Sequence, residues 1–301
     1  MNILLLGKNG QVGWELQRAL QPLGQVVALD RQYNADGLCG DVANFTAIEQ
    51  AIQSIQPDVI VNATAYTAVD KAESEAEQAD LINHRAVAHL AQQAKLHQCL
   101  LIHYSTDYVF DGTGETAWQE TDNTNPINEY GKSKRAGEIA LEQSGAKFIN
   151  FRTSWVYGTH GQNFIKTMLK LAQSKTELSI IADQIGAPTG AALIADVTAQ
   201  AIAYYRGQSE ATQQQLHGHY HLAAQGETSW HDYAQFVFAT ARHAGAELTL
   251  QTVKAIPTTD YPTPAQRPLN SRLNCNKLQQ QFHLHLPQWQ QGVAQVIGEI
   301  L

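Results

Sequence analysis

A chain of 301 residues with 44% hydrophobic and 16% charged side chains has ample material for a core, in one large domain or two fused lobes, and excludes a disordered chain. Its net charge of −8, with no long run of one sign, argues against a nucleic-acid or membrane-surface partner. Three widely spaced cysteines, Cys39, Cys99 and Cys275, supply neither a disulfide framework nor a zinc-thiolate set, and MNILLLGKNGQVG is no signal peptide or spanning helix, so a cytoplasmic protein is expected.

In chain order, NILLLG (2–7) reads as a buried strand, and VGWELQRAL (12–20) carries Val12, Leu16, Ala19 and Leu20 on one helical face. VVALD (26–30) is a second strand, and NFTAIEQAIQSI (44–55) a helix capped by Asn44. DVIVNATA (58–65) is a third strand, a long helical pattern covers 71–96, and CLLIHYST (99–106) is a fourth strand. A helix through NEYGKSKRAGE (128–138) leads to a fifth strand in KFINFRTSWVYG (147–158). Strands that are apolar throughout, separated by helices, imply an α/β fold, a Rossmann-type doubly wound parallel sheet covered on both faces. The second half is less regular: helices near 191–206, 229–244 and 287–300, a strand at 218–224, and the proline-rich IPTTDYPTPAQRP (256–268). The expected division is a dinucleotide-binding domain over 1–155, with later segments returning to it, and mainly a smaller C-terminal substrate-binding lobe over 156–301.

The first loop, GKNGQVG, spaces Gly7, Gly10 and Gly13 between the first strand and the first helix. Glycines there let the backbone turn and approach a pyrophosphate, and the helix N-terminus supplies amide donors. Asp30 ends the second strand, where an acid bonds a ribose hydroxyl of NAD; Arg31 follows and could hold the 2′-phosphate of NADP, so NADPH and NADH both stay open. GDV (40–42) falls where the loop after the second strand passes an adenine, and NATAYTAVD (62–70) leaves the third strand with small residues that let backbone lie against a cofactor.

Tyr130 and Lys134 lie one helical turn apart on one face. A free phenol is about a thousandth ionised at pH 7; a neighbouring ammonium favours the phenolate and tunes the group to pass a proton to a carbonyl oxygen. A plain solvated helix face has the same spacing. Thr106, at the carboxyl end of the fourth strand, stands where this fold places its chemistry, and its hydroxyl could bond a substrate carbonyl opposite Tyr130. Trp155, at a strand end, could present a flat face to a sugar or base, or pack between lobes. Arg267, among prolines, could meet a diphosphate or stand on the surface.

The three glycines, STDYVFDG and the YGKSK segment together resemble the extended short-chain dehydrogenase/reductase family. MNILLLGKNGQVGWELQ, NATAYTAVDKAE, HYSTDYVFDGTG, FRTSWVYG, GAPTG and YPTPAQRPLNSRL are similar, over nearly the whole chain, to those members that reduce the 4-keto group of dTDP-4-dehydro-6-deoxy-L-mannose with NADPH or NADH. Their product is dTDP-L-rhamnose, a precursor of surface polysaccharide such as lipopolysaccharide. The resemblance implies a catalytic Thr106, Tyr130 and Lys134, with a dTDP-linked 4-keto-6-deoxy sugar as the partner. It implies cofactor contacts at Gly10, Gln11, Val12, Asp30, Asp41, Val42, Ala65, Tyr66, Thr67 and Tyr104, and sugar-nucleotide contacts at Val69, Thr106, Asp107, Tyr130 and Trp155. Some members dimerise around a magnesium ion held by three glutamates per chain. Glu15 and Glu299 match two of them, but Ala192 stands at the third, so the metal set is broken and monomer and homodimer both stay open.

Among twelve histidines, His217, His219 and His221 alternate, as do His283 and His285; without carboxylates or cysteines at ligand spacing they are read as satisfied or exposed rather than as a metal site. A relative of this family serves as a non-catalytic regulatory subunit of methionine adenosyltransferase. Such a module would not need Thr106, Tyr130 and Lys134 together. Dehydratases of the superfamily usually add an acid pair beside the threonine. Here Asp107 has no glutamate next to it, so simple reduction is the expected chemistry.

Overall fold

The computed structural model describes residues 1–301. Strands β1 (Asn2–Leu6), β2 (Gln25–Leu29), β3 (Val59–Asn62), β4 (Leu100–Thr106) and β5 (Phe148–Thr153) alternate with helices α1 (Gln11–Ala19), α2 (Phe45–Ile55), α3 (Val69–Ala72), α4 (Ala76–Asp80), α5 (Ala86–Leu96) and α6 (Glu129–Ser144). Then come β6 (Val156–Tyr157), α7 (Phe164–Ser174), β7 (Glu177–Ile181), β8 (Ile185–Gly186), β9 (Thr189–Gly190), α8 (Ala191–Arg206), α9 (Glu210–Gln215) and β10 (Gly218–His221). The chain closes with β11 (Thr228–Ser229), α10 (Trp230–His243), β12 (Thr252–Ile256), α11 (Asn276–Phe282) and α12 (Trp289–Ile300). No helix is long and apolar enough to cross a membrane.

Six strands form one sheet in the order β10-β5-β4-β3-β1-β2, and every pairing in it is parallel. Successive side chains of a strand point to opposite faces. Ile3 and Leu5 accordingly join a core with Leu16 of α1 and Ile194 and Ile202 of α8, whereas Leu4 and Leu6 join one with Ile48 and Ile52 of α2 and Leu90 of α5. Each such buried aliphatic side chain is worth about 1.5–3 kcal/mol relative to exposure, which is why strands so uniformly apolar are covered on both sides. A third core, around Tyr157, Ile165, Leu169, Phe238 and Val293, holds α7, α10 and α12 together. The sheet order changes direction around β1, which sits between β2 and β3. The crevice beyond their carboxyl ends is where this topology leaves room for a ligand.

Several elements depart from the sequence reading. The helix expected over 71–96 is interrupted after Ala72 and passes through a π-type turn, Leu81–Arg85, before α5. The extra residue of that turn lets Asn83 face inward, where it is 1% exposed. The strand expected to run to 158 ends at Thr153, because Trp155 adopts a left-handed φ of 49° and lodges its ring against Trp230, with centroids 3.7 Å apart. The strand expected at 218–224 stops at His221, and it pairs with β5 in the first sheet. Helix α7 and the parallel pair β7–β12 have no counterpart in the sequence reading.

Candidate active site

The glycine loop is tight at Gly7 and Gly13, where nothing larger than glycine fits. Gly7 has φ +87°, and a Cβ there would stand 2.9 Å from the Ala63 backbone; a Cβ on Gly13 would stand 2.0 Å from the Gly7 carbonyl oxygen. Gly10 caps α1 with no side-chain hydrogen bond, so the first-turn amides keep their donors for an anion. The loop opens onto a cleft of ≈ 780 Å³ lined by Gly7, Gly10, Asp30, Arg31, Asp41, Val42, Ala65 and Tyr66 among others. Eight of the expected cofactor contacts therefore line one surface. The Gln32 amide, and then Asn9 and Lys8, hold the Asp30 carboxyl below the usual range; Asn9 Nδ2 is 2.8 Å and Lys8 Nζ 3.4 Å away. Gln11 and Val12 turn from this cleft: the Gln11 carboxamide oxygen accepts from Asn163 at 3.0 Å, and Val12 packs against the core. Thr67 is exposed just before α3, and its carbonyl accepts from the Val69 amide.

Helix α6 brings Tyr130 and Lys134 to the end of β4. Asn128 caps it, accepting from the Gly131 amide at 2.8 Å, and Gly145 ends it with φ +69°. Gly131 and Gly137 let it lie backbone to backbone on its neighbours: a Cβ on the first would meet the Tyr108 carbonyl at 2.2 Å, and on the second the Asn83 carbonyl at 2.1 Å. Tyr130, 9% exposed, and Thr106, 5% exposed, come together; burial pushes the phenol up, and the Thr106 hydroxyl beside it pulls it back. Thr106 also donates to Asp107 Oδ1 at 3.0 Å. Burial pushes the Asp107 carboxyl up to about 6, against hydrogen bonds from Ser271 and Thr106.

Lys134 is 2% exposed, and its Nζ donates to the Tyr104 carbonyl at 2.6 Å; burial brings the ammonium down to about 8, against the pull of Glu138. The Tyr104 hydroxyl, on the same strand, is held by Thr198 of α8 at 2.8 Å. Val69 packs beside Tyr130, and Tyr108 meets that ring edge-on at 5.6 Å. Arg267 reaches the same corner, 2.7 Å from Asp70 and 3.4 Å from the Tyr108 hydroxyl. Trp155 stands farther along, stacked on Trp230, with Gly186 against its ring.

The sequence reading omits the side chains that hold these groups. Asn83 Oδ1 accepts from the Tyr66 amide at 2.9 Å, and its Nδ2 donates to the Tyr66 carbonyl and to Ser133 Oγ, each at 3.0 Å. Ser133 in turn donates to the Tyr130 carbonyl at 2.7 Å. One carboxamide thus ties the cleft wall to the helix that carries Tyr130. Four residues beyond Lys134, Glu138 takes a bidentate contact from Arg152, both distances 2.8 Å. Burial alone would raise that carboxyl, but the guanidinium brings it down to about 2. The one available signal for Asn83 is a polar residue on the apolar face of a helical pattern.

Glu15, Ala192 and Glu299 line a second cleft, of ≈ 470 Å³. Glu15 lies 3.5 Å from Arg18, Glu299 accepts from Gln295 at 2.9 Å, and the methyl of Ala192 offers no ligand. A hard cation wants several oxygens, so this donor set does not fit magnesium, and no group of three His, Cys, Asp or Glu side chains is placed to hold a metal. The alternating histidines are each engaged separately: His217 with Tyr205, His219 with Asn150 and Glu142, His221 with the Trp118 carbonyl.

The model of the RmlD substrate binding domain family matches residues 1–301. The chain is 55% identical to the dTDP-4-dehydrorhamnose reductase of Shigella flexneri over 300 residues, covering 100% of this chain and 98% of that one. Among solved structures, the dTDP-4-dehydrorhamnose reductase of Bacillus anthracis in complex with NADP superposes with a TM-score of 0.87 at 33% identity, covering 99% of each chain. The UDP-glucose 4-epimerase of Thermus thermophilus, complexed with NAD, shares the fold with a TM-score of 0.79 at 18% identity over 100% of this chain and 99% of that one.

Proposed function

Because this chain belongs to the RmlD family of dTDP-4-dehydrorhamnose reductases, NAD(P)H-dependent oxidoreductases of the short-chain dehydrogenase/reductase type, we propose that it reduces the 4-keto group of dTDP-4-dehydro-6-deoxy-L-mannose to dTDP-L-rhamnose for surface polysaccharide. The observation that carries the reading is that α6 sets Tyr130 beside Thr106, and Lys134 on the Tyr104 carbonyl, at the carboxyl end of β4, with the tight glycine loop at the end of β1. The nicotinamide, when bound, supplies the hydride.

The residues of this chain do the rest. Thr106 orients the carbonyl oxygen, and Tyr130 gives that oxygen its proton as negative charge develops there. Lys134 favours the phenolate left behind. Gly7, Gly10 and the first-turn amides of Gln11, Val12 and Gly13 take the pyrophosphate, and Asp30, Arg31, Asp41, Val42, Ala65, Tyr66 and Thr67 the adenosine side of the cofactor. Tyr104 supports Lys134 through its carbonyl. Val69, Asp107, Trp155 and Arg267 receive the sugar nucleotide. In this reading residues 1–155 and the returning β10 hold the dinucleotide, and most of 156–301 holds the sugar nucleotide. Arg267 must then exchange Asp70 for the diphosphate when substrate binds.

The test follows absorbance of NADPH, then NADH, as the protein meets the keto-sugar generated in situ. Oxidation that depends on the sugar is expected, and Tyr130→Phe should lower turnover by about 10²–10⁴ while cofactor still binds. Full turnover by that variant would remove Tyr130 as proton donor.

A further inference from the structure

At the corner beside Tyr130, a carboxylate already takes the donors that a bound anion would take. Asp70, on α3, has two partners: its Oδ2 lies 2.7 Å from Arg267 Nη2, and its Oδ1 accepts from the Ala265 amide at 3.3 Å. Arg267 pairs with no other carboxylate, and its Nη1 donates to the Tyr108 hydroxyl oxygen at 3.4 Å. A guanidinium fork and a backbone N–H turned on one group hold a phosphate as readily as a carboxylate. Val69, the neighbour of Asp70, packs beside Tyr130, so the corner adjoins the reacting end of the site.

The backbone that carries Arg267 is pinned by other contacts. Upstream, Thr258 donates its amide to both Asp183 carboxylate oxygens at 2.9 Å and its hydroxyl to Oδ1 at 2.6 Å, and it accepts from Gln184 Nε2 at 3.1 Å. Next to Arg267, the Gln266 carbonyl accepts from Asn128 Nδ2 at 2.8 Å, and Pro268 lies so close over Gly112 that a Cβ there would meet it at 2.4 Å. The Leu269 carbonyl accepts from the Ile185 amide at 2.8 Å. Loss of the ion pair therefore frees a side chain and not a segment. The pair stands partly in water, with 21% of the Arg267 side chain and 42% of the Asp70 side chain exposed, so it is a weak lock. A diphosphate carries more charge than a carboxylate and engages the same guanidinium fork.

Resting on the sugar-nucleotide reading above, we propose that Asp70 is a built-in competitor for the substrate's diphosphate: its carboxylate fills the Arg267 corner of the empty molecule, and affinity for a nucleoside diphosphate is set in part by the cost of displacing it. Apparent affinity is then the intrinsic affinity scaled by the fraction of molecules in which Arg267 is free. Asp70 differs in sign from a residue that helps to hold substrate, because removing its charge tightens binding. In the same reading the cofactor's pyrophosphate lies at the glycine loop, outside this exchange.

The test is calorimetry of dTDP binding to the full chain with NADPH present, which needs no turnover, and of NADPH binding alone. Wild type, Asp70→Asn, Arg267→Gln and the double variant are compared. Asparagine keeps an oxygen for the Ala265 amide and loses only the charge. Asp70→Asn should bind dTDP about two- to five-fold more tightly, the range a partly exposed ion pair sets, with NADPH affinity unchanged. Arg267→Gln should bind dTDP more weakly, and adding Asp70→Asn to it should bring no gain. Unchanged or weaker binding by Asp70→Asn overturns the proposal. So does a gain that persists without Arg267 or that NADPH shares, since either marks a general loss of negative charge. If the Arg267 variants do not fold, the sign of the Asp70→Asn change, with NADPH as control, still decides. Failure of the underlying reading looks different: a wild type that binds no dTDP, or an Arg267→Gln variant that binds it as well as wild type, removes the diphosphate from this corner and the proposal with it.

Discussion

Beyond the carboxyl ends of β1 and β2, at the cleft, the ionic side chains stand in water: Lys8 and Asp30 are 3.4 Å apart with 29% and 22% of their side chains exposed. Under α6 they stand in the core: Glu138 and Arg152 meet at 2.8 Å with 0% and 3% exposed. Solvent screens the first pair, and such pairs are worth about 0–1 kcal/mol. Removing one partner of the second leaves a dry, uncompensated charge, at about 3–5 kcal/mol. The cleft can therefore exchange its partners when a charged cofactor arrives, while the helix carrying Tyr130 and Lys134 cannot shift without breaking a buried pair. Under the proposed function, mobility of charge serves binding and a fixed helix serves the reaction.

The sharpest break of this contrast is Arg152→Met. It should lower stability by about 3–5 kcal/mol, read as a fall in the denaturant midpoint, because Glu138 then stays buried alone. Adding Glu138→Leu should recover most of the loss. A single variant as stable as wild type would mean that water reaches Glu138 and that the two regions do not differ.

Asp107 gives the pH form of the same test. Its folded carboxyl, at about 6, lies above the ordinary carboxylate value near 3.9, so burial opposes the charged form. Below about pH 4 both states are protonated and Asp107 contributes nothing. Between about pH 4 and 6 the folded state binds more protons than the unfolded one, so this group's contribution falls as pH rises. Above 6 the full penalty of about 3 kcal/mol is present. Asp107→Asn should thus be more stable than wild type at pH 8 by up to that amount, with the gap closing by pH 4. A gap independent of pH would place the charge in water.

What was legible in the sequence was what lies close along the chain. Gly7, Gly10 and Gly13 are three apart, Tyr130 and Lys134 four apart, and the strands are continuous apolar runs. Asn83 is different in kind: its partners, Tyr66 and Ser133, are 17 and 50 residues away. Asn62 and His103 are 41 apart and meet only because β3 and β4 pair in register. The turn at Trp155 escaped because a left-handed φ on a large residue is imposed by packing against Trp230, far along the chain, which no local propensity reports. Helix α7 is another matter, since Ile165, Leu169 and Ala172 are spaced for a helix and were available to the sequence reading.

Asn83→Ala probes the seam between the two regions. It strands the Tyr66 amide and carbonyl, and should destabilise the fold by about 1–3 kcal/mol. Because Tyr66 lines the cleft and Ser133 holds the Tyr130 carbonyl, dinucleotide affinity and turnover should fall together. If calorimetric affinity is unchanged while turnover falls, the carboxamide serves the helix alone.

The smallest effect belongs to the wet side. Lys8→Ala removes one of the groups around Asp30, but the Gln32 amide and Asn9 remain, each 2.8 Å from a carboxylate oxygen. Stability should change by less than about 1 kcal/mol, and the difference should shrink further in high salt, where an exposed pair is screened over a few ångströms. Chemical denaturation by urea, which adds no ions, at low and high sodium chloride measures both. A loss of several kcal/mol that salt leaves untouched would show that Asp30 is desolvated in the folded chain. The cleft would then be built, like the helix, around a fixed charge, and binding a second anion beside it would require that charge to be displaced rather than screened.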